Sequence, residues 1–263
     1  MKSIKDKIVW ITGASSGIGE EIAYKLAEKG ALLILSARRK EELERVKQNC
    51  IIKYEANAIV CPLDVADKNE VDRVYSILLK KLGKIDVLIN NAGYGLTKEF
   101  VDYDITEAEN MFRVNILGMM HITQKVAAHM IERNTGHIIN VGSIAGKIAT
   151  PKSAVYSSSK FAVIGFSNAL RLELKDYDIK VTTVNPGPVD TSFFDSFDPD
   201  GSYLEKVKSF VLTPEEVAGK IVAVIGKNKR EVNIPGIMEV AFRFYTLFPA
   251  VGDFLVRNVF DKK

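Results

Sequence analysis

The sequence predicts an α/β fold: a doubly wound, mostly parallel sheet of about seven strands with helices on both faces, in one domain spanning 1–263. Three observations carry that expectation. Apolar runs of strand length alternate with segments of helical period, as βαβ crossovers do. The runs are almost uninterruptedly apolar, which strands covered on both faces require. A glycine-rich turn joins the first run to the first helical segment, a junction that open α/β sheets use to hold phosphate groups.

Each element follows in order. Lys7–Thr12 is a strand and Gly17–Gly30 a helix closed by a glycine cap. Ala31–Ala37 is the second strand, Lys40–Asn49 a charged helix, Ala58–Leu63 the third strand, and Lys68–Leu82 a helix that Gly83 stops. Ile85–Ile89 is the fourth strand, followed by a long helical region over Thr106–Arg133. His137–Val141 is the fifth strand, Ser153–Lys175 a helix and Ile179–Val184 the sixth strand. Thr213-Pro214, with Glu216 three residues past the cap, opens a helix to Gly226, and a short strand covers Val232–Ile234. No composition shift marks a linker, and no repeat is present.

Hydrophobic residues make up 47% of the chain and charged residues 26%, which excludes a disordered or low-complexity architecture. Lys and Arg (36) against Asp and Glu (33) leave a net charge of +3, too balanced for a nucleic-acid partner. The mean hydropathy of +0.03 is slightly high for a soluble domain. Cys50 and Cys61 lack CxxC spacing, so reduced thiols in a cytoplasmic protein are expected. The start shows no signal peptide, and no run of ~18 apolar residues calls for a transmembrane helix. His121, His129 and His137 have no ligand spacing; they read as surface or partly buried histidines, and no metal is expected.

The first strand ends in Thr12-Gly13-Ala14-Ser15-Ser16-Gly17-Ile18-Gly19. Glycines let a pyrophosphate approach the backbone, and the helix N-terminus presents free N–H groups and a positive dipole end. The spacing is not GxGxxG, because three residues separate Gly13 from Gly17. After the second strand, a carboxylate would bind an adenosine 2′-hydroxyl; the chain has Ala37-Arg38-Arg39 instead. A guanidinium there can pair bidentately with a 2′-phosphate, which favours NADP(H), with Arg38 the first candidate because it follows the strand directly. The alternative is a pair of solvated charges leading the helix.

Tyr156 and Lys160 are four residues apart in a helical segment and share a face. Ser143 closes the fifth strand, whose carboxyl end lines the ligand crevice. These residue types suit carbonyl–alcohol redox chemistry. Lowering a tyrosine pKa by ~3 units needs about 4 kcal/mol of preference for phenolate. One ammonium at ~4 Å, at an effective dielectric near 20, supplies about that much. Tyr156 would then exchange a proton with the carbonyl oxygen, Ser143 would hydrogen-bond that oxygen, and a nicotinamide would supply hydride.

With these residues in view, the chain resembles the short-chain dehydrogenase/reductase family over nearly its whole length. The resemblance rests on TGASSGIG at 12–19, Asp64-Val65, NNAG at 90–93, Asn115, Ser143, YSSSK at 156–160 and Pro186-Gly187. It implies a Rossmann-type sheet and further roles. Asp64 and Val65 would contact adenine, and Asn90, Asn91, Ala92 and Gly93 would line the cofactor. Asn115 would hold a water linking Lys160 to solvent, and Lys160 would bind the nicotinamide ribose. Pro186, Gly187, Val189 and Thr191 would shape the nicotinamide end. The arginine pair looks like the NADP-preferring branch, and a homodimer or homotetramer built through the long helices is implied.

Segment 188–212 holds Phe193, Phe194, Phe197, Tyr203 and Phe210, with turn signals at Asp198-Pro199 and Asp200-Gly201. It reads as an apolar lid or as aromatics packed on the domain or on a subunit neighbour. Tyr94, Leu96, Ile144 and Ile148 are candidates for further apolar lining. Residues 231–263 hold six aromatics in 33 residues, twice the chain's 9% average, with Pro249 breaking the run. This segment is expected to pack over the pocket or form a subunit interface, with peripheral membrane contact as the alternative. The leading expectation is an NADP(H)-dependent oxidoreductase on a largely apolar carbonyl or alcohol. The alternatives are a non-catalytic NADP(H) sensor and a membrane-apposed interaction protein.

Overall fold

Seven strands form one sheet: β1 (Ile8–Thr12), β2 (Leu32–Ser36), β3 (Ala58–Val60), β4 (Val87–Asn90), β5 (Gly136–Val141), β6 (Ile179–Pro186) and β7 (Glu231–Ile234). The structure, a computed structural model, describes residues 3–198, 201, 207 and 210–260. All pairings are parallel, in the order β3-β2-β1-β4-β5-β6-β7. The order reverses between β1 and β4, so a crevice opens outside their carboxyl ends.

Ten helices accompany the sheet: α1 (Gly17–Glu28), α2 (Lys40–Tyr54), α3 (Lys68–Leu82), α4 (Ile105–Phe112), α5 (Met119–Glu132), α6 (Ala154–Glu173), α7 (Phe193–Phe197), α8 (Pro214–Val224), α9 (Ile237–Leu247) and α10 (Pro249–Phe260), among the described residues. Strand side chains alternate between faces. Val9, Ile11, Leu33, Leu35 and Ile89 pack with α1, α2 and α8. Trp10, Ile34, Leu88 and Ile138 pack with α3, α5 and α6 on the other face. That double coverage is why the strands read as continuous apolar runs.

Most boundaries differ from the expected ones by a few residues. β4 starts at Val87, because the Asp86 carboxylate turns back to accept the Ile8 N–H (3.0 Å) and to pair with Arg133 (3.0 Å). α2 runs on to Tyr54, since Cys50 continues the buried stripe of Leu43 and Val46; Glu55 then ends it with φ 52°. β3 is shorter than expected, and β6 extends to Pro186 because it pairs with β7 as far as Ile234. The long helical region is one rod from Ile105 to Glu132, interrupted by a π-helical turn over Arg113–Gly118.

His137 corrects an expectation. It is fully buried, not at the surface. Its Nδ1 accepts the Gly226 N–H (3.0 Å) and its Nε2 lies 2.9 Å from Thr182 Oγ1, which fixes a neutral ring. Burial pushes its pKa down to about 3. Cys50 is likewise buried, with its thiol pushed up to about 11 by burial. Among the described residues, no helix is long and apolar enough to cross a membrane.

Candidate active site

A cavity of about 650 Å³ opens outside the carboxyl ends of the central strands. The loops after β1 to β6 supply most of its wall. It brings together the catalytic and cofactor residues named from the sequence except Gly19, Asn90 and Asn115: Gly13 and Ser15 to Ile18, Arg38 and Arg39, Asp64 and Val65, Asn91 to Gly93, Ser143, Tyr156, Lys160, Pro186, Gly187, Val189 and Thr191 all line it.

The turn after β1 forms a close-fitting cradle. Gly13 has φ +67°, and a Cβ there would lie 2.9 Å from Ala92 Cα. A Cβ on Gly19, behind the wall, would lie 2.1 Å from the Gly13 carbonyl oxygen. The cradle is tied to the loop after β4. Thr12 Oγ1 accepts the N–H groups of Asn91 (3.0 Å) and Ala92 (3.1 Å), and Asn91 Nδ2 donates to the carbonyls of Thr12 and Gly13 (3.1 and 3.2 Å). Ser16, the N-cap of α1, makes no side-chain capping bond, so it leaves the first-turn amides without a capping oxygen beside the cavity that Gly17 and Ile18 line. Asn90 is buried beneath, donating to Thr123 Oγ1 and Asn140 Oδ1 (both 2.8 Å). This cradle, with the arginines beside it, fits a dinucleotide phosphate chain.

Of the two arginines, the structure brings Arg39 onto the cradle: its Nη2 donates to Ser15 Oγ (3.2 Å) and Ser16 Oγ (2.9 Å). Position in the chain favoured Arg38, which lines the same wall. Among the described residues neither forms an ion pair, whereas nearby Arg45 is held by Glu20 (2.6 Å) and Glu42 (2.8 Å).

Tyr156 and Lys160 lie on the first turns of α6, and both are buried. Lys160 Nζ donates to the Val141 carbonyl (3.1 Å) and lies 5.8 Å from the centre of the Tyr156 ring. Asn115 stands behind them in the π turn. Its Oδ1 accepts the Tyr94 N–H (3.0 Å), while its Nδ2 donates to the Tyr94 carbonyl (2.8 Å) and to Ser159 Oγ (3.0 Å). It therefore fixes the strip between Gly93 and Tyr94 against α6. Ser143 caps a 3₁₀ turn over Ile144–Gly146, and its Oγ accepts the Ala145 N–H (3.0 Å), which leaves its O–H as a donor.

Burial pulls the Lys160 pKa from 10.5 to about 8. The unfolded chain therefore binds more protons between those values. The cost of burying the ammonium is full below about pH 8 and fades as pH rises to 10.5. Lys160→Met is expected to stabilise the fold by about 2 kcal/mol at pH 7, after about 1 kcal/mol for the Val141 carbonyl left unpaired. Urea unfolding at pH 7 and pH 10.5 checks this; a gain that does not shrink at the higher pH refutes it.

Part of the cavity wall is apolar. Phe193, Phe194, Phe197 and Phe210 line it, as do Tyr94, Ile144 and Ile148, whereas Leu96 packs behind. Tyr203, Pro199 and Asp200 lie outside the described residues. The phenylalanines also pack on the site: ring centres of Phe193 and Phe197 lie 5.7 and 5.2 Å from that of Tyr156. Gly95 makes room for them, since a Cβ there would lie 2.7 Å from Tyr156 Cδ2 and 2.8 Å from Phe197 Cδ2. Gly95→Ala is expected to displace the Tyr156 ring and lower kcat about tenfold while the fold persists; kinetics with circular dichroism checks it.

Sequence reasoning missed several wall residues, Leu63, Val141 and Thr150 among them. Met238 of α9 and Val256 of α10 reach the cavity from the C-terminal segment, and nothing in the period of that segment distinguishes them. Val114 also lines it from the π turn. Among the described residues, no group of three or more His, Cys, Asp or Glu side chains is placed to hold a metal.

Comparison with known proteins bears on the whole arrangement. The sequence pattern of the short chain dehydrogenases matches residues 7–201. The chain is 42% identical over 197 residues to human dehydrogenase/reductase SDR family member 7, covering 73% of this chain and 58% of that protein. It spans little over half the length of the human and mouse forms of that relative. An uncharacterized oxidoreductase of Staphylococcus aureus (strain USA300) is 36% identical over 235 residues, covering 89% of this chain and 96% of that one. Among solved structures, the closed form of serine dehydrogenase complexed with NADP+ is 32% identical with a TM-score of 0.78, covering 86% of this chain and 94% of that one.

Proposed function

This chain belongs to the short-chain dehydrogenase family, and from that premise we propose that it is an NADP(H)-dependent oxidoreductase that interconverts a carbonyl and an alcohol, with Tyr156 as general acid/base. The observation that carries this reading is the meeting of Tyr156, Lys160 and Ser143 on one cavity wall beside the glycine cradle. NADPH, when bound, supplies the hydride.

The chain's own residues do the rest. The cradle and the α1 amides hold the phosphates, and Arg39 with Arg38 beside it holds the 2′-phosphate. Asp64 and Val65 bracket the adenine, while Pro186, Gly187, Val189 and Thr191 shape the nicotinamide end. Tyr156 passes its phenol proton to the substrate oxygen, and the Lys160 ammonium favours the phenolate left behind. Ser143 donates a hydrogen bond to the same oxygen as charge develops. The phenolate regains its proton through Lys160, which draws one from solvent in turn, and Asn115, by fixing Tyr94 and Ser159, keeps that route in place. The apolar wall selects a bulky, largely apolar carbonyl compound.

Two surfaces bear on partners. Ile105, Leu117, Met120 and Phe161, on the helices flanking the site, are exposed, which supports assembly of a homodimer or homotetramer through that face. The outer sides of α9 and α10 expose Phe244, Leu247, Phe248 and Phe254; this keeps peripheral membrane contact as a second reading, which liposome flotation at low salt tests.

The proposal is tested by following NADPH oxidation over carbonyl compounds graded by size and polarity, then repeating with NADH. Turnover of bulky apolar carbonyls with NADPH preferred is expected. Arg39→Ala should cut that preference about tenfold to a hundredfold, the worth of a charged hydrogen bond or two, with Arg38→Ala the smaller change. An unchanged preference in both variants sinks the 2′-phosphate assignment.

A further inference from the structure

The turn that carries Ser143 is held at its far end by a polar network that leads to the C-terminal segment, and the other end of that network packs against Gly142. At its far end is Lys147, whose N–H donates to the Ile144 carbonyl (2.9 Å). The Lys147 side chain is only 5% exposed. Its ammonium pairs with Glu231 at the start of β7, lies 3.7 Å from Glu239 Oε2 on α9, and sits 4.1 Å from the centre of the Phe242 ring. Burying an ammonium is unfavourable unless charges and π faces surround it, and here they do.

The network then turns back. Asn233 of β7 donates to Glu239, and Arg243 donates to the same carboxylate (2.8 Å), which holds Glu239 below the usual carboxylate range. Asn233 Oδ1 accepts from Asn185 Nδ2 (2.9 Å). Asn185 Oδ1 in turn lies against Gly142, where an added Cβ would come within 2.3 Å of it. Gly142 immediately precedes Ser143. Met238, beside Glu239, lines the cavity.

We propose that Lys147 is a positioning residue: by pinning the far end of the Ser143 turn to Glu231 and α9, it holds the Ser143 hydroxyl where the substrate oxygen must be met, and it makes the C-terminal helix part of the site's support. This rests on the reading of Ser143 as the donor to that oxygen. A cation that merely filled space under α9 would not act through Ser143.

The test uses the full chain with Lys147→Met, Lys147→Arg, Ser143→Ala and the Lys147→Met/Ser143→Ala pair. For the best carbonyl substrate, Lys147→Met is expected to lower kcat about tenfold to a hundredfold. NADPH affinity should stay within about twofold and amide exchange over 142–147 should speed up, while Lys147→Arg recovers most of the rate. In the Ser143→Ala background, Lys147→Met should cost less than about twofold, because the group it positions is gone. An undiminished kcat, or an equal loss in both backgrounds, overturns the inference. If Lys147→Met does not fold, Glu239→Gln is measured in the same way. If the wild type turns over no carbonyl compound, the proposed function fails, and exchange over 142–147 then decides the clamp: faster exchange in the variant supports it, unchanged exchange overturns it.

Discussion

Tyr156→Phe is expected to bind NADPH within about threefold of the wild type while kcat falls about a thousandfold, within the range that general acid–base groups contribute. The substitution removes one oxygen and little else. The ring keeps its neighbours Phe193 and Phe197 at 5.7 and 5.2 Å, so the lid aromatics have no reason to move. The cradle, Arg39 and Asp64 lie elsewhere on the cavity wall and are untouched. What remains is the Ser143 hydrogen bond and the held orientation of substrate and cofactor, which alone support slow turnover. Steady-state kinetics beside a fluorescence titration of NADPH separates the two effects. A variant within tenfold of wild-type kcat would dismiss Tyr156 as the acid.

The second large effect is on stability in acid. His137 is neutral in the fold, with its pKa near 3 against 6.5 in the open chain. The unfolded chain therefore binds one more proton between those values, and stability falls as pH drops. The full stabilisation is present above about pH 6.5, about 2 kcal/mol is gone by pH 5, and about 4 kcal/mol by pH 3. His137→Asn should be less stable than wild type at pH 7, because the Gly226 N–H and Thr182 hydroxyl lose a fitted partner. Its acid limb should nonetheless be flatter. Urea unfolding between pH 7 and pH 4 checks this; a constant gap between the two proteins across that range would remove His137 from the account.

The strands were legible because burial on both faces leaves a continuous apolar run, and the helices because caps such as Thr213 with Glu216 act within a few residues. The cradle and the Tyr156–Lys160 pair could be read for the same reason: their chemistry depends on short spacing. What could not be read depends on distant partners. His137 looks like any polar residue opening a strand until Gly226, 89 residues on, supplies its donor. Lys147 looks like a solvated turn cation until β7 and α9 enclose it. The choice between Arg38 and Arg39 turns on which one the serines of the first loop can reach. Neighbouring positions in the chain cannot settle that.

The π turn at Arg113–Gly118 has a consequence for how this helix can change. A π turn is one residue more than an α-helix needs, so it shifts the phase of everything on one side of it by about 100°. α5 is pinned to the sheet through Ile122, Val126 and Met130. Deleting a single residue from the turn would therefore restore an unbroken helix yet swing α4, with Met111, away from the aromatics it now meets, and would carry Asn115 off Tyr94 and Ser159. Helix content would rise as catalytic competence fell, so the length of this rod is set by the two surfaces it must meet at once.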